Sequence, residues 1–373
     1  MRIALMGLFM FLVGCSPIRI ETVTANELES RLRSATANAP AIVYGSVSRD
    51  GTTFVRAAGW ADLRDGRAVL ETTAFAWFSI TKVFTATAVM QLAESGRVDL
   101  DVPVCRYLPE SSLSRDGREA TVRQLLSHST GLANPIPITW IHPAGEPSPD
   151  LDSLVDRLVG VAPNLEFEPG QKSSYSNLGY LLLGQIIERT SGEHYEDYVK
   201  RHLLEPLRAE ATGFAWSEGA ATGYQRRWSP TGLAARWMLD ARFFGESSDG
   251  YWALRPFIVD GPPYGGLQGP VRDLLRLGQM VLAGGKAERG HVLGEASLRS
   301  MLSPARDSKG RALGVGLGWH IGREDGHDFA YHLGGGGGYR SEIRVYPDLG
   351  YAVAVLANET SFPTESLTRL VVR

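Results

Sequence analysis

The chain has 373 residues, of which 43% are hydrophobic and 21% charged, and its formal net charge is −3 at pH 7. This is the composition of a globular protein with ample length for a large core, and the small negative charge gives no basic footprint that would favour nucleic acid. Only five of the 38 basic residues are lysines, so a lysine inside a motif carries more weight here than in a lysine-rich protein.

The N-terminus has the pattern of an export signal. After Met1-Arg2 the chain is apolar from Ile3 to Val13, which is too short to span a bilayer but suits a secretory signal. This segment ends in Gly14-Cys15, which is similar to a bacterial lipoprotein box. We therefore expect residues 1–14 to be a signal peptide and Cys15 to carry lipid, giving an exported lipoprotein anchored on the periplasmic side of the membrane. An ordinary signal peptide with an incidental cysteine is the alternative.

The elements that follow form three blocks along the chain. Residues 15–40 indicate a linker and a first helix, and 41–48 and 52–60 indicate two strands joined by a turn at Arg49-Asp50-Gly51. A helical pattern covers residues 79–96 and ends at Gly96. Further helices are predicted at 121–127, 151–159, 177–191, 195–203, 271–282 and 295–302, and further strands at 315–321, 329–333, 341–346 and 351–356.

Strands at both ends of the chain with helices between them predict an α+β fold. An antiparallel sheet would be flanked by helices and carry an inserted all-helical region. We expect a sheet domain from residues 41–105 and 265–373, a helical domain from 106–264, and an active site between them. Cys105 is expected to be a small buried hydrophobic residue. Three alternative roles are expected for the stretch Arg226–Trp252. It packs as part of a surface insertion, it lines a substrate cleft, or it lies on the membrane.

The first candidate for chemistry is Ser79-Ile80-Thr81-Lys82, the single S-x-x-K motif, at the start of the helix predicted over 79–96. Residues three apart share one helix face, so Lys82 would lie behind the Ser79 hydroxyl, and burial would lower its pKa enough for a base. The helix N-terminus also offers N–H groups to an oxyanion. A surface lysine beside a capping serine is the alternative. No G-x-S-x-G, H-E-x-x-H, P-loop or dinucleotide motif is present, so we expect no metal and no cofactor.

Two later motifs strengthen this candidate. Tyr175-Ser176-Asn177 is the single Y-x-N, and it offers a phenol as proton shuttle and an amide that could orient the substrate and Lys82. Its alternatives are a core tyrosine and an asparagine that caps the next helix. His332-Leu333-Gly334 ends a predicted strand and runs into further glycines, so that a substrate could lie along a bare strand edge near Gly335. A glycine hairpin with a surface histidine is the alternative, and His320-Ile321-Gly322 is a rival H-x-G.

These three ordered motifs resemble those of the serine β-lactamase and penicillin-binding protein superfamily, on its class C-like branch, over roughly residues 40–358. The resemblance implies that Ser79 forms an acyl-enzyme, that Lys82 and Tyr175 share the base role, and that the N–H groups of Ser79 and Gly335 hold the oxyanion. It also implies that Asn177, His332 and Gly334 bind the substrate. His128 is expected to be a core or supporting histidine.

One departure limits what the resemblance implies. His332 stands where β-lactamases of this branch carry lysine, and a neutral imidazole grips a substrate carboxylate weakly. The expected substrate is therefore a small molecule or a peptidoglycan-type compound, attacked by a β-lactamase, D-aminoacyl peptidase or esterase reaction that sequence does not separate. A non-catalytic envelope lipoprotein that binds cell-wall or lipid ligands is the alternative of another class. The oligomeric state is left open.

Overall fold

The computed structural model describes residues 19–135, 137–159 and 164–372, and the expected signal peptide and Cys15 lie outside these ranges. None of the helices in the described part of the chain combines the length and the apolar character needed to cross a bilayer.

The strands, in chain order, are β1 (Glu21–Val23), β2 (Ala41–Ser48), β3 (Thr53–Asp62), β4 (Arg67–Ala68), β5 (Phe75–Ala76), β6 (Ser114–Arg115), β7 (Arg118–Glu119), β8 (Ile141–Pro143), β9 (Tyr224–Arg226), β10 (Phe244–Ser248), β11 (Tyr251–Leu254), β12 (Phe257–Val259), β13 (Gln268–Gly269), β14 (Lys286–Ala287), β15 (Gly290–His291), β16 (His320–Glu324), β17 (His327–Gly336), β18 (Tyr339–Tyr346), β19 (Tyr351–Ala357) and β20 (Leu370–Val372). The α-helices are α1 (Ala25–Ala35), α2 (Thr81–Glu94), α3 (Val122–Leu126), α4 (Leu151–Val159), α5 (Asn177–Ser191), α6 (Tyr195–Val199), α7 (Glu205–Leu207), α8 (Pro230–Met238), α9 (Pro262–Gly265), α10 (Val271–Leu282), α11 (Glu295–Leu302) and α12 (Glu365–Thr368). A 3-10 turn, Phe78–Ile80, leads into α2, and a π-helical turn, Lys200–Leu204, follows α6.

A seven-stranded antiparallel sheet joins the two ends of the chain in the order β16-β17-β18-β19-β2-β3-β4. β2 and β19 pair at its centre and are buried along nearly their whole length. One face of these strands packs on α10, and the other packs on α1 and the C-terminal segment. Coverage on both faces explains their almost continuous apolar sequences. The prediction of an α+β fold with an antiparallel sheet flanked by helices is confirmed.

Helix α2 is the centre of the helical layer. It is apolar on all sides and buried along most of its length, and it packs on α5 and α9. A helix without a polar face is stable in water only when it is enclosed in this way. The expected domain boundary at residue 105 therefore separates α2 from the helices that surround it.

Three details differ from the sequence predictions. The inserted region 106–264 is not all helical, because β8 pairs with β12 within it and β9, β10 and β11 form a small three-stranded sheet there. The strand predicted at 315–321 begins only at His320. Cys105 is a partly exposed free thiol that donates to Glu119 at 3.3 Å, so the expectation of a buried hydrophobic cysteine is wrong.

Candidate active site

Ser79 lies in the 3-10 turn between β5 and α2, half-buried in the wall of a cavity of about 420 Å³. The residue before it, Phe78, has φ = 46°, a left-handed conformation that is rare and strained for an aromatic residue. Its ring is held 6.3 Å from that of Phe257 and 6.2 Å from that of Tyr339, measured between centroids. The packed ring thus fixes the unusual turn, which places Ser79 at the cavity surface.

Lys82 follows one helical turn later and is completely buried. Its Nζ lies 3.3 Å from Ser79 Oγ and donates to the Tyr264 carbonyl oxygen at 2.7 Å. Within the described residues no carboxylate pairs with this amine, and burial lowers its pKa well below the usual value. A lysine whose charged form is disfavoured by burial and that faces a serine hydroxyl is equipped to accept its proton.

Aromatic rings surround the Lys82 amine. Its Nζ lies 4.8 Å from the ring centroid of Tyr175, 5.3 Å from that of Tyr264 and 5.5 Å from that of Tyr180. A desolvated ammonium gains about 2 kcal/mol or more from such a ring, against a cost of several kcal/mol for its removal from water, and burial is the effect that lowers the pKa of Lys82. The rings would then limit the cost of the transient ammonium that forms when the base is protonated.

Tyr175 and Asn177 line the cavity beside Ser79, and the Tyr175 ring contacts the Lys82 amine. The buried Tyr175 hydroxyl and Asn177 Oδ1 have no hydrogen-bond partner among the described residues. Burial raises the pKa of Tyr175, while the nearby Ser79 hydroxyl lowers it by a smaller amount, so the phenol is neutral and able to donate. The cap of α5 is Ser176, whose Oγ accepts from Gly179 N at 3.3 Å, and this leaves the Asn177 amide free of the capping role.

Strand β17 supplies the opposite wall. β16 pairs with it only as far as Tyr331, so the segment from His332 to Gly336 has one edge free of β16, and it packs against the turn that carries Ser79. A Cβ on Gly334 would lie 2.0 Å from the Trp77 carbonyl oxygen, so only glycine permits this approach. Gly335 and Gly336 line the cavity beside Ser79. A free strand edge there can present an N–H group to an oxyanion.

Three histidines lie behind these groups. His332 is buried, and its Nδ1 is 2.8 Å from the Leu333 carbonyl oxygen, to which it donates. Between ring centroids, His320 is 5.2 Å from His332 and 6.3 Å from Tyr175, and His128 is 4.5 Å from Tyr175. Burial lowers the pKa of all three imidazoles, and Lys82 lowers them further. They therefore enter the site as neutral rings.

The structure brings Ser79, Tyr175, Asn177 and Gly335 to one cavity, with Lys82 directly behind Ser79. His332 and Gly334 do not line the cavity and lie behind its wall. The residues that the sequence motifs missed are Tyr264 and the apolar side chains of the far wall. Part of the stretch Arg226–Trp252 lines the cavity, from Thr231 to Phe243. The tryptophans of this stretch are not among the lining residues. The full set of lining residues is Phe78, Ser79, Pro137, Ile141, Tyr175, Asn177, Gln225, Thr231, Ala234, Ala235, Leu239, Phe243, Leu254, Phe257, Val259, Tyr264, Gly265, Gly335, Gly336, Gly337 and Thr360.

No group of three or more His, Cys, Asp or Glu side chains in the described ranges is arranged to hold a metal ion. The chemistry argued above rests on the side chains themselves.

Comparison with known proteins covers nearly the whole described chain. The Beta-lactamase family model matches residues 34–372. Penicillin-binding protein 4 of Amycolatopsis lactamdurans is 29% identical over 337 residues, which are 86% of this chain and 82% of that protein. Penicillin-binding protein 4* of Bacillus subtilis (strain 168) is 27% identical over 316 residues, which are 81% of this chain and 64% of that protein.

Solved structures give the same outline of the fold. The octameric penicillin-binding protein homologue from Pyrococcus abyssi aligns with a TM-score of 0.74 at 25% identity, over 93% of this chain and 76% of that one. D-amino acid amidase from Ochrobactrum anthropi SV3, complexed with L-phenylalanine, aligns with a TM-score of 0.73 at 24% identity, over 92% of this chain and 94% of that one.

Proposed function

Because the chain belongs to the beta-lactamase family of serine hydrolases, we propose that it hydrolyses uncharged amides through an acyl-enzyme on Ser79. The single observation that carries this proposal is the buried Lys82 amine, 3.3 Å from Ser79 Oγ and without a carboxylate partner in the described residues, at the wall of a cavity that no charged side chain lines.

Acylation begins when Ser79 Oγ attacks the substrate carbonyl carbon while Lys82 accepts the hydroxyl proton. The negative charge on the carbonyl oxygen would be held by the N–H groups of Ser79 and of Gly335 on the free edge of β17. The Tyr175 phenol donates a proton to the leaving nitrogen and recovers one from Lys82, so the amine departs neutral. In the second step a water molecule attacks the ester on Ser79, with Tyr175 and Lys82 relaying its proton back to Ser79.

The surroundings of the site favour substrates without a carboxylate. A carboxylate beside the scissile bond would need a cation to replace its hydration, and burial of an unpaired charge is costly. His332 is buried and neutral, and its Nδ1 hydrogen is already donated to the Leu333 carbonyl oxygen. The His332 position therefore offers no cation to a substrate carboxylate, which favours an amidase that acts on neutral substrates over an efficient β-lactamase or D-alanyl carboxypeptidase.

A second candidate is a penicillin-binding type of activity, in which Ser79 reacts with β-lactams or D-alanyl peptides. Two curated relatives named as penicillin-binding proteins favour it. An ester would pass through the same acyl-enzyme, although no relative described above is named an esterase. A non-catalytic envelope protein is disfavoured, because the nucleophile Ser79, the base Lys82 and the proton donor Tyr175 all lie around one cavity.

The test compares three substrates on the purified chain. Activity on a neutral amide that exceeds activity on nitrocefin and on a D-Ala-D-Ala peptide, and that is lost in Ser79→Ala, is the expected result. A fluorophosphonate probe should label the unaltered chain at one residue and leave Ser79→Ala unlabelled. Activity on the carboxylated substrates alone would favour the second candidate, and equal labelling of the two proteins would overturn the acyl-enzyme proposal.

We also propose that the protein is exported and held at the membrane by lipid on Cys15. The support is the apolar segment Ile3–Val13 followed by Gly14-Cys15. Metabolic labelling with a radioactive fatty acid should mark the unaltered chain in cells and fail to mark Cys15→Ser. Labelling of the Cys15→Ser variant would count against this anchor.

A further inference from the structure

The cavity beside Ser79 has unevenly distributed polarity. Its unpartnered polar atoms, Tyr175 Oη and Asn177 Oδ1, lie with Ser79 and Gly335 where the reaction would occur. Hydrogen bonds already hold Thr360 Oγ1, which donates to the Gly336 carbonyl oxygen at 2.9 Å, and Gln225 Nε2, which donates to Thr231 Oγ1 at 3.1 Å. Away from the reaction centre the lining therefore offers mainly apolar contact.

The apolar part of the wall comes from β8, β11, β12, α8 and the segment after α8. It consists of Ile141, Ala234, Ala235, Leu239, Phe243, Leu254, Phe257 and Val259. Helix α8 is fixed at its start, since Ser229 caps it through Gly232 N at 3.0 Å and a Cβ on Gly232 would lie 1.8 Å from the Arg226 carbonyl oxygen. The helix thus presents small alanines to the cavity, which leaves room for a ligand.

The same helix has a very different outer face. Leu233 is 51% exposed and Trp237 is 87% exposed, and neither lines the cavity. One helix therefore offers an inner position, Ala235, and a nearby outer position, Leu233, for matched substitutions.

Resting on the proposed function, we infer that this apolar region is the acyl subsite and that it takes a bulky, uncharged acyl group, branched aliphatic or aromatic. The acyl carbon becomes bonded to Ser79 Oγ and stays there through both steps, so its substituent must occupy the space that adjoins Ser79. The volume of about 420 Å³ lies within the range of small-molecule pockets. A charged acyl group would lose hydration with no countercharge in the lining.

The test uses acyl p-nitroanilides that share one leaving group: acetyl, butyryl, hexanoyl, phenylacetyl and succinyl. kcat/KM should rise roughly fourfold for each methylene buried. Succinyl should fall at least about a hundredfold below butyryl, which matches it in chain length, because its carboxylate would be buried unpaired.

Two matched variants locate the subsite. Ala235→Phe fills the cavity, so it should lower kcat/KM for the hexanoyl and phenylacetyl substrates about tenfold or more while acetyl changes about twofold at most. Leu233→Phe makes a similar addition on the outer face and should leave the whole series unchanged. Leu239→Ala enlarges the cavity and should move the preference toward longer acyl groups, which gives a second measurement should Ala235→Phe fail to fold.

The outcomes separate this inference from the proposed function. If kcat/KM does not change with acyl length while turnover still depends on Ser79, the acyl subsite is overturned and the amidase proposal stands. Absence of Ser79-dependent turnover on every amide overturns the amidase proposal. In that case, thermal shifts of Ser79→Ala with the same compounds still test the acyl subsite. Binding that does not depend on acyl length, or that is stronger for the succinyl compound, would contradict it.

Discussion

The cavity beside Ser79 has a polar end and an apolar end, and the two are held in place differently. At the polar end, Lys82 is enclosed by three tyrosine rings, and the left-handed turn at Phe78 is fixed by packed aromatics. At the apolar end, α8 is a nine-residue helix whose outer side chains are largely exposed. A rigid polar end suits a reaction that needs fixed geometry. Substitutions in the wall formed by α8 can instead change which substrates are preferred.

The largest effect should come from Ser79→Ala, which removes the atom that would become acylated. Amide hydrolysis should fall by about 10⁴-fold or more, since loss of a nucleophile abolishes the covalent route. The same variant should still bind apolar amides, because it leaves the far wall untouched. Steady-state kinetics and thermal shift together check this, and a loss of binding equal to the loss of turnover would mean that the two ends are not independent.

Lys82→Met should lower turnover by about 10²- to 10⁴-fold and stabilise the protein. The pKa of Lys82 is lowered in the folded state, so between that value and the ordinary lysine value of about 10.4 the unfolded chain binds more protons. At neutral pH the folded state therefore bears the cost of a buried amine, which methionine removes. Calorimetry should show a Tm higher by about 2 °C or more, with the gain largest at low pH. A lower Tm at pH 7 would contradict the argument.

The pH profile of kcat/KM tests which group is the base. Activity should fall on the acid side as Lys82 becomes protonated. His320→Gln and His332→Gln are the matched controls, because both imidazoles lie near the amine and burial lowers the pKa of each. The acid limb should persist in both variants, and its disappearance in either one would assign the base role to that histidine.

Tyr175→Phe should reduce kcat by about a hundredfold and change KM little, because only the proton relay is lost. The phenol has no partner among the described residues, so its removal breaks no hydrogen bond in that part of the chain. Tyr180→Phe is the matched control, since the Tyr180 ring also lies near the Lys82 amine but its hydroxyl donates to the Leu126 carbonyl oxygen at 3.0 Å. Equal losses of kcat in the two variants would indicate a structural role for both rings.

The polar end was largely predictable from the sequence, and the apolar end was not. The three-residue spacing predicted that Lys82 lies next to Ser79, and the Y-x-N and H-x-G motifs marked the chain segments that meet them. The family and fold predictions are confirmed, while the catalytic roles stay predictions. The contact of Lys82 with the Tyr264 carbonyl oxygen depends on a tertiary approach of segments 182 positions apart, which no local pattern encodes. Ala235 and Leu239 line the cavity through the packing of α8 on β9, a tertiary contact, and their residue types are common in any helix.

Introducing a positive charge at each H-x-G histidine in turn can show which of the two, His320 or His332, faces the substrate. His332 precedes the glycine segment of β17, whereas His320 begins β16 and stacks on Tyr175. His332→Lys should raise kcat/KM for a carboxylated amide about tenfold relative to its neutral analogue, since it places a cation in the wall behind the cavity. His332→Gln controls for loss of the imidazole, and His320→Lys should not improve the carboxylated substrate. An improvement with His320→Lys alone would make His320 the residue that faces the substrate. An unchanged ratio in both would mean that absence of charge at these positions is not what excludes carboxylates from the cavity.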